Sequence, residues 1–385
     1  MGGVLKRLAI LGSTGSIGQQ TLEIVRAFND RFQVVGLGAG SNIQLLARQV
    51  EEFQPKFVSF QGLRNEEQGK GLLSHVPYSS FLSLEELASH PDVDLVIVAT
   101  SGKAGLAPTL AALRAGKRIA LANKEVLVMA GEIVMAEAKR CGVEIMPVDS
   151  EHSAIWQCLR GEPRESVAQL ILTASGGPFY HYSLEQLASV TPEQALKHPT
   201  WQMGKKVTID SATLMNKGME VIEAHWLFDL PQERINVLIH PQSVVHSLVE
   251  FADGSVKAQL SPPDMRLPIQ YALAYPERLP YWQLPRIDWD KFPSLTFEKP
   301  DLARFPCLEL AIEAAKRGGT CPTVLCAADE MAIELFLSHH IGFLDIARLV
   351  EEALDHHQSI SHPSLEEILV ADSWAREYAE NWSAQ

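Results

Sequence analysis

The stretch KRLAILGSTGSIGQQTLEIVRAF, residues 6–28, decides the fold of the first part of the chain. It joins a short apolar run, a glycine-rich loop and a helical pattern in immediate succession. A strand that leads through such a loop into a helix begins a βαβ unit, and a dinucleotide places its pyrophosphate at the N-terminus of that helix. We therefore predict a parallel sheet with a nucleotide site at residues 12–18.

Short Val, Ile and Leu runs continue to alternate with helical patterns as far as residue 148. The runs include FQVVGLG at 32–38, DLVIVA at 94–99 and RIALA at 118–122. This alternation predicts right-handed crossovers in a doubly wound, Rossmann-like parallel sheet. The strands are continuously apolar because helices are expected to cover both faces of the sheet.

The sequence changes character after this α/β region. Residues 150–280 combine Gly, Pro and Ser loops with alternating strand patterns and a helical piece near 213–228, which indicates an α+β domain with an antiparallel or mixed sheet. Repeated prolines follow, and helical patterns then run to the end. The predicted division is 1–149 for the nucleotide-binding domain, 150–280 for a catalytic domain, 281–306 for a linker and 307–385 for a C-terminal helical bundle.

The composition of the 385-residue chain excludes several classes of protein. Its 47 acidic and 33 basic residues give a formal charge of −14 without a basic stripe, so nucleic acid is not an expected partner. No apolar run approaches the ~20 residues of a transmembrane helix, and the N-terminus leaves no room for a signal peptide. Five cysteines without CxxC spacing favour reduced thiols over disulfides or structural zinc. We expect a cytoplasmic protein without a membrane partner.

The loop GSTGSIG at 12–18 departs from the usual G-x-G-x-x-G pattern, because Thr14 stands where the second glycine would. We expect Gly12 to permit the tight turn, Gly15 to let a phosphate approach and Gly18 to bring the helix against the strand. A loop whose glycines serve packing alone is the alternative, which the surrounding βαβ pattern disfavours.

The residues after the second predicted strand favour NADP over NAD. An NAD site usually has Asp or Glu there for the ribose 2′-hydroxyl, whereas this chain has AGSN at 39–42. Small neutral side chains leave room for a 2′-phosphate. At the same edge of the sheet, two later strand ends provide Lys103, Asn123 and Lys124 as candidate ligand contacts.

The segment DSEHSA at 149–154 follows the last apolar run of this region. Asp149 and Glu151 would point to the same side of an extended segment, where a hard cation such as Mg²⁺ or Mn²⁺ would relieve their repulsion. The alternative is a solvated polar turn. We expect His152 to be a structural or helix-start residue rather than a ligand.

The stretch SATLMNKGMEVIEAHWLF at 211–228 supplies the candidate third carboxylate. On a helix, Asn216, Lys217 and Glu220 share one face, and a carboxylate beside a lysine and an amide suits a metal-chelating, phosphorylated substrate. Glu223 is a less favoured ligand. An ordinary exposed Lys/Glu pair is the alternative.

Three further segments are rich in small donors. TASGGPF at 173–179 offers Ser175 and two glycine amides to an anion, or forms a plain tight turn. KHPTWQMGKK at 197–206 has the character of a lid, although Trp201 could equally be buried permanently. HPQSVVHSLVEF at 240–251 alternates, so a local distortion would be needed for Ser243 or His246 to reach a site.

These blocks, in this order, resemble the 1-deoxy-D-xylulose 5-phosphate reductoisomerase family over nearly the full chain. The most specific blocks are VDSEHSA and MNKGMEVIEA. The resemblance implies a homodimeric enzyme of non-mevalonate isoprenoid synthesis. It would convert 1-deoxy-D-xylulose 5-phosphate to 2-C-methyl-D-erythritol 4-phosphate with NADPH and Mg²⁺, Mn²⁺ or Co²⁺.

The resemblance also implies roles for individual residues. The implied metal ligands are Asp149, Glu151 and Glu220, which together with Lys124 are the implied catalytic residues. The implied substrate contacts are Ser150, Glu151, Ser175, His198, Trp201, Met203, Ser211, Asn216, Lys217, Glu220 and His246. The implied cofactor contacts are Gly12, Ser13, Thr14, Gly15, Ser16, Ile17, Gly38, Gly40, Ser41, Asn42, Asn123, Lys124, Glu125 and Gly204. Some relatives have a lysine where this chain has Ser41.

Two other functions remain as alternatives. A metal-independent NADP dehydrogenase of the semialdehyde or homoserine type would need a nucleophilic cysteine or a Lys/Asp pair, and Cys158 lies in a helical pattern without a nearby partner. A regulator that senses NADP without turnover would have no use for three carboxylates. For the enzyme, retro-aldol cleavage and re-addition is the preferred route, and an α-ketol shift is the other.

Overall fold

A computed structural model describes residues 5–60, 80–201 and 203–382 of the chain. The chain forms two compact units. The first unit contains Met1–Val126, Val134–Ser153 and Asp264–Pro285, and the second contains Leu127–Ile133, Ala154–Pro263 and Arg286–Gln385. This grouping differs from the predicted division, since it places residues 264–280 with the nucleotide-binding part, and the predicted domain boundaries stay a prediction.

Up to residue 148, the strands and helices occur in the order expected from the sequence. The strands are β1 (Lys6–Leu11), β2 (Phe32–Ala39), β3 (Phe57–Phe60), β4 (Ser80–Phe81), β5 (Leu95–Val98), β6 (Arg118–Leu121), β7 (Ile145–Pro147), β8 (Val167–Ala174), β9 (Ile235–Ile239), β10 (Val245–Phe251) and β11 (Val256–Leu260). The helices are α1 (Ser16–Ala27), α2 (Ile43–Phe53), α3 (Leu84–Ser89), α4 (Leu106–Arg114), α5 (Glu125–Cys141), α6 (Ser150–Cys158), α7 (Leu184–Ala188), α8 (Pro192–Ala195), α9 (Lys205–Thr213), α10 (Met215–Phe228), α11 (Arg266–Ala274), α12 (Cys307–Arg317), α13 (Cys321–Leu337), α14 (Asp345–His356) and α15 (Leu365–Glu380).

The first unit is built on a parallel sheet with strand order β4-β3-β2-β1-β5-β6-β7. Its central strands are apolar over most of their length because they are covered on both faces, and Leu8 to Leu11 of β1 are fully buried. The chain runs outward from β1 to β4 and then returns to β5 on the other side of β1. In such sheets the ligand binds where the strand order reverses, at the carboxyl ends of the strands. The predicted doubly wound sheet is confirmed.

The second unit contains a four-stranded mixed sheet with the order β11-β10-β8-β9. Strands β8 and β9 are parallel, whereas β10 is antiparallel to both β8 and β11. Beyond the sheet, α13 packs against α14 and α15, which confirms the predicted helical bundle. Gly218 of α10 allows close contact with α12, since a Cβ at Gly218 would lie 2.4 Å from the Cβ of Ala311.

The helix predicted near 213–228 is confirmed as α10 (Met215–Phe228). Thr213 belongs to the preceding helix α9, and the two helices meet at Leu214, whose φ is 64°. A left-handed residue ends one helix and lets the next start in a new direction. Leucine is an unusual residue for this conformation, so the sequence carried no signal for the break.

Residues 286–306 contain the short 3₁₀ turn Trp289–Lys291, and Glu298 of this segment forms an isolated antiparallel bridge with Ile239 at the end of β9. All five cysteines have free thiols. Within the described ranges, every helix is too short or too polar to cross a lipid bilayer.

Candidate active site

The glycine-rich loop of the first unit makes a turn that requires two of its glycines. Gly12 has φ +91°, and a Cβ there would lie 2.3 Å from the carbonyl oxygen of Ala99. A Cβ at Gly18 would lie 2.3 Å from the carbonyl oxygen of Gly12. Gly12 therefore allows the predicted tight turn. Gly18 packs α1 onto the turn itself, rather than onto the strand as the sequence suggested.

Gly15 is the N-cap residue of α1, which begins with Ser16 and Ile17. The first amides of a helix have no acceptor within the helix and carry a partial positive charge, so this end of α1 suits a phosphate group. The first turn of α1 contains no acidic side chain that would repel an anion.

A cavity of about 320 Å³ lies over this loop. Its lining includes six of the predicted cofactor contacts, namely Gly12, Thr14, Gly15, Gly38, Gly40 and Ser41. The rest of its lining includes Ala39, from the predicted ribose segment, and residues of the strand end at 99–105 that was expected on the ligand side, whereas Leu84 was not predicted. Leu84 follows Ser83, the N-cap residue of α3, and nothing in its local sequence marks it as a contact.

Several predicted cofactor residues do not line this cavity. Ser13 is buried and bonded to Gln49, and Asn42 caps α2 by accepting a hydrogen bond from the amide of Leu45 at 3.1 Å. Gly204 is the N-cap residue of α9 in the second unit. Ser16 and Ile17 lie in the first turn of α1. For all of these residues, contact with a cofactor stays a prediction.

The predicted nicotinamide-end residues are held firmly at the end of β6. The side-chain amide of Asn123 donates to the carbonyl oxygen of Gly102 at 2.9 Å, and its oxygen accepts from the amide of Val126 at 3.3 Å. Glu125 begins α5. The Lys124 ammonium lies 2.9 Å from a carboxylate oxygen of Asp149, so a predicted cofactor residue pairs with a predicted metal ligand. No local pattern in the sequence indicated this ion pair.

The prediction that Asp149 and Glu151 lie in an extended segment, with both side chains on one side, is wrong. Helix α6 begins at Ser150, and Asp149 takes the N-cap position, with its carbonyl accepting from the amide of Ser153 at 2.8 Å. Asp149 Oδ1 accepts from the amide of Glu151 at 3.3 Å. The Ser150 hydroxyl donates to Glu151 at 2.6 Å, and His152 is fully buried in the first turn of α6, as expected for a helix-start residue.

The charge state of Asp149 follows from its neighbours. Burial acts to raise the pKa of its carboxyl group, but the Lys124 ammonium and His152 outweigh burial and hold the pKa well below its usual range. Asp149 is therefore a carboxylate at neutral pH, which is the form that a cation requires.

In the second unit, the carboxylate of Glu220 on α10 is almost fully buried. It accepts from the side-chain amide of Asn216 at 2.5 Å and from the ammonium of Lys217. Asn216, Lys217 and Glu220 thus share one face of the helix, as predicted. An ordinary exposed Lys/Glu pair is ruled out, since Lys217 is also buried. The spare carboxylate, Glu223, is buried one turn further along.

His198 links two predicted substrate residues of the second unit. Its Nε2 lies 2.9 Å from the hydroxyl of Ser175 and 3.1 Å from the hydroxyl of Ser211. Its Nδ1 accepts from the backbone amides of Thr200 at 3.2 Å and Trp201 at 2.9 Å. Because Nδ1 is an acceptor, the ring proton lies on Nε2 and points at the two serines. Burial lowers the pKa of His198 to about 4, so the ring is neutral at pH 7.

The loop after β8 is shaped by two successive glycines. Gly176 and Gly177 have φ values of +84° and +69°, and a Cβ at Gly177 would lie 2.7 Å from the carbonyl oxygen of Ser211. The Ser175 hydroxyl also accepts from the amide of Gly177 at 3.2 Å. The loop therefore brings Gly177 against Ser211 and Ala212 in the last turn of α9.

The predicted lid segment is irregular where the structure describes it. Trp201 and Met203 are both half-buried, and the edge of the Trp201 ring meets the His246 ring with centroids 6.0 Å apart. His246 lies at the point where the register between β10 and β11 shifts, between Val245 and Ser247. The local distortion expected in this strand is therefore present. The Nε2 of His246 lies 2.9 Å from the hydroxyl of Ser261.

Comparison with known proteins identifies the family. The profile of 1-deoxy-D-xylulose 5-phosphate reductoisomerase matches residues 8–131, that of its C-terminal domain matches 145–228, and a further DXP reductoisomerase C-terminal domain matches 260–378. The 1-deoxy-D-xylulose 5-phosphate reductoisomerase of Pelotomaculum thermopropionicum is 55% identical over 376 residues, which cover 97% of each chain. That of Heliobacterium modesticaldum is 56% identical over 384 residues, which cover 98% of this chain and 97% of the relative.

Solved structures agree with this result. The Zymomonas mobilis enzyme in complex with NADPH has a TM-score of 0.90 at 43% identity, and 98% of each chain is covered. A DOX-P reductoisomerase in complex with NADPH, fosmidomycin and magnesium has a TM-score of 0.92 at 44% identity, again with 98% of each chain covered. The chain belongs to the 1-deoxy-D-xylulose 5-phosphate reductoisomerase family.

Proposed function

We propose that this member of the family converts 1-deoxy-D-xylulose 5-phosphate to 2-C-methyl-D-erythritol 4-phosphate, using NADPH and one divalent cation. The observation that carries the proposal is the match over nearly the full chain to enzymes named for this activity, one of them solved with NADPH, fosmidomycin and magnesium. The reaction belongs to the synthesis of isoprenoid precursors. We further propose that the enzyme is a cytoplasmic homodimer, as the family resemblance implies.

The first unit fits NADPH. The cavity over the glycine-rich loop offers the N-terminus of α1 to the pyrophosphate. The end of β2 continues into Gly40, Ser41 and Asn42, which are exposed and uncharged. No Cβ at Gly40 would meet another described atom within 4 Å, so this end of the cavity has room for a 2′-phosphate. Asn123, Lys124 and Glu125 would lie near the nicotinamide.

The proposed ligands of the cation are Asp149, Glu151 and Glu220. They fit a hard divalent cation because all three are carboxylates, and Mg²⁺ and Mn²⁺ prefer oxygen ligands. Asp149 is held ionised by Lys124, and the buried carboxylate of Glu220 accepts hydrogen bonds from Asn216 and Lys217. When bound, the cation would polarise the substrate ketone and its neighbouring hydroxyl group and stabilise the developing oxyanion.

The proposed phosphate site uses the donors of the second unit. Ser175, Ser211, Asn216 and Lys217 would hold the phosphate group, and the Nε2 proton of His198 aligns the two serine hydroxyls. A neutral histidine suits this task, because it donates one hydrogen bond while the positive charge comes from Lys217. Ser150, Trp201, Met203 and His246 complete the proposed substrate contacts.

The mechanism follows from the placement of these groups. The phosphate site fixes one end of the substrate, so that the reacting carbons are oriented when the carbon skeleton rearranges. Retro-aldol cleavage and re-addition is the preferred route, with an α-ketol shift as the alternative. Closure of the Trp201 segment would exclude water from the reacting fragments. NADPH, when held by the first unit, would supply the hydride that reduces the rearranged aldehyde.

The proposal is tested by following nicotinamide absorbance. We expect oxidation of NADPH to require 1-deoxy-D-xylulose 5-phosphate and Mg²⁺ together, and to stop when a chelator is added. Glu220→Gln should lower kcat by at least ~100-fold because it removes a proposed metal ligand. The exposed Glu185→Gln on α7 is a matched control that should retain activity. Turnover that persists in excess EDTA would contradict the metal requirement, and equal rates with NADH would contradict the proposed cofactor choice.

A further inference from the structure

The glycine-rich loop at 12–18, which is proposed to bind the pyrophosphate, is held by hydrogen bonds to Gln49, a residue outside the cavity. We propose that Gln49 of α2 is a positioning residue for NADPH binding, which acts by holding Ser13 in the conformation that the cofactor needs. This inference rests on the proposed function, because it assumes that the dinucleotide binds over residues 12–18. Gln49 itself does not line the cavity.

The contact between the two side chains is reciprocal. The Ser13 hydroxyl donates to Oε1 of Gln49 at 2.8 Å, and Nε2 of Gln49 donates to the carbonyl oxygen of Ser13 at 2.8 Å. Ser13 is fully buried and Gln49 is 3% exposed. A buried amide that makes both hydrogen bonds fixes the orientation of a peptide group much more firmly than a solvated side chain would.

The rest of the loop is held by the end of β2. The carbonyl oxygen of Gly38 accepts from the amides of both Gly12 and Ser13, each at 2.8 Å. The amide, carbonyl and hydroxyl of Ser13 are therefore all bonded to protein groups. Without the side-chain amide of Gln49, the carbonyl and hydroxyl of Ser13 would lose their partners. The peptide group that joins Ser13 to Thr14 would then be free to rotate away from the cofactor.

Helix α2 connects this contact to the other end of the cofactor site. The helix begins directly after Asn42, which the family resemblance places near the adenosine ribose, and Gln49 lies two turns further along. One helix thus carries a residue at the ribose end and the residue that holds the pyrophosphate loop. Anchoring both to α2 fixes the spacing between the two parts of the site.

The test replaces Gln49 with methionine, which has a similar size and no hydrogen-bonding amide. Binding of NADPH to the full chain is measured directly from the fluorescence of the nicotinamide, and steady-state kinetics are measured in parallel. We expect Gln49→Met to raise the Kd of NADPH about 5- to 100-fold, the range for loss of buried hydrogen bonds. The KM for the sugar phosphate substrate, and kcat at saturating NADPH, should stay within about twofold of the wild-type values.

Two further variants keep the test decisive. Gln33→Met makes the same substitution at an exposed position at the start of β2, and should leave the Kd of NADPH unchanged. Ser13→Ala removes only the hydroxyl group, which is buried against Gln49 and belongs to a residue outside the cavity lining, and it should raise the Kd of NADPH by less than Gln49→Met does. If Gln49→Met fails to fold, a raised Kd in Ser13→Ala supports the inference and an unchanged Kd overturns it.

The failure of this inference can be distinguished from failure of the proposed function. Wild-type affinity for NADPH in Gln49→Met, even with a lowered melting temperature, would show that Gln49 is merely structural and would overturn the inference alone. Gln49→Met that loses kcat, affinity for NADPH and affinity for the sugar phosphate equally would also overturn the inference alone. A wild-type chain that does not bind NADPH would overturn both.

Discussion

The tautomer of His198 illustrates how a single residue can be assigned a chemical state from its neighbours. Two backbone amides point at Nδ1, so the proton must be on Nε2, where two serine hydroxyls receive it. A charged imidazolium would bring a second proton to Nδ1, facing two N–H donors. The geometry and the lowered pKa therefore agree that this ring is neutral.

We predict that His198 stays neutral throughout the physiological pH range. An unfolded histidine gains its proton near pH 6.5, whereas burial lowers the folded pKa of His198 to about 4. Between these values the unfolded chain binds more protons, so the contribution of His198 to stability is complete above pH ~6.5 and is lost as the pH falls toward 4.

The measurement is a titration of ¹³C-labelled histidine rings by NMR, with the His198 signal assigned from its loss in His198→Asn. We expect the signal to keep the neutral chemical shift down to about pH 5. Protonation near pH 6.5 would contradict both the tautomer and the proposed role as a neutral donor.

The roles of single residues could be predicted from the sequence better than the contacts between residues. Gly12 could be predicted because its positive φ belongs to a turn that the local pattern revealed, whereas its close approach to Ala99 could not. The pairs Lys124–Asp149 and Ser13–Gln49 join residues 25 and 36 positions apart, and local pattern carries no information about such partners.

At the scale of elements, α10 carries Asn216, Lys217 and Glu220 on one face and packs its other side against α12. The contact depends on Gly218, which lies between two of these residues and has no side chain to hold α12 away. The position of α10 therefore determines where three proposed site residues lie.

We predict that Gly218→Ala destabilises the enzyme even though alanine favours helices. The new Cβ would lie 2.4 Å from the Cβ of Ala311, so the helices must separate, at a cost of about 1–3 kcal/mol in the free energy of unfolding. Urea denaturation measures this loss, and kcat should fall with it because the proposed site residues move.

The control for this prediction removes the opposing methyl group. In the double variant Gly218→Ala with Ala311→Gly, the collision is gone, and we expect stability and kcat to return most of the way to wild type. If Gly218→Ala alone is as stable as the wild type, then α10 and α12 are not packed as closely as described.

Element types were predictable from the sequence, while some of their ends were not. The βαβ alternation of the first unit has a strong periodic signal, and each predicted strand and helix of that region within the described residues is present. The break at Leu214 and the helix start at Ser150 had no such signal, because surrounding contacts decide them. The prediction that Asp149 and Glu151 bind a metal assumed an extended segment, whereas Glu151 lies in the first turn of a helix.

At the scale of the whole molecule, we assign the cofactor to the first unit and the phosphate donors to the second. A simple dehydrogenase would also bind a dinucleotide on such a parallel sheet, so fold alone does not distinguish the two functions. What sets this chain apart is the set of carboxylates and phosphate donors that the family resemblance assigns to a rearrangement before reduction.

The carbon skeleton of the product tests this claim most directly. Substrate with ¹³C in its chain is incubated with the enzyme, NADPH and Mg²⁺, and the product is analysed by NMR. We predict a branched product, 2-C-methyl-D-erythritol 4-phosphate, formed in a one-to-one ratio with oxidised NADPH. An unbranched alcohol would show reduction without rearrangement and would contradict the proposed function.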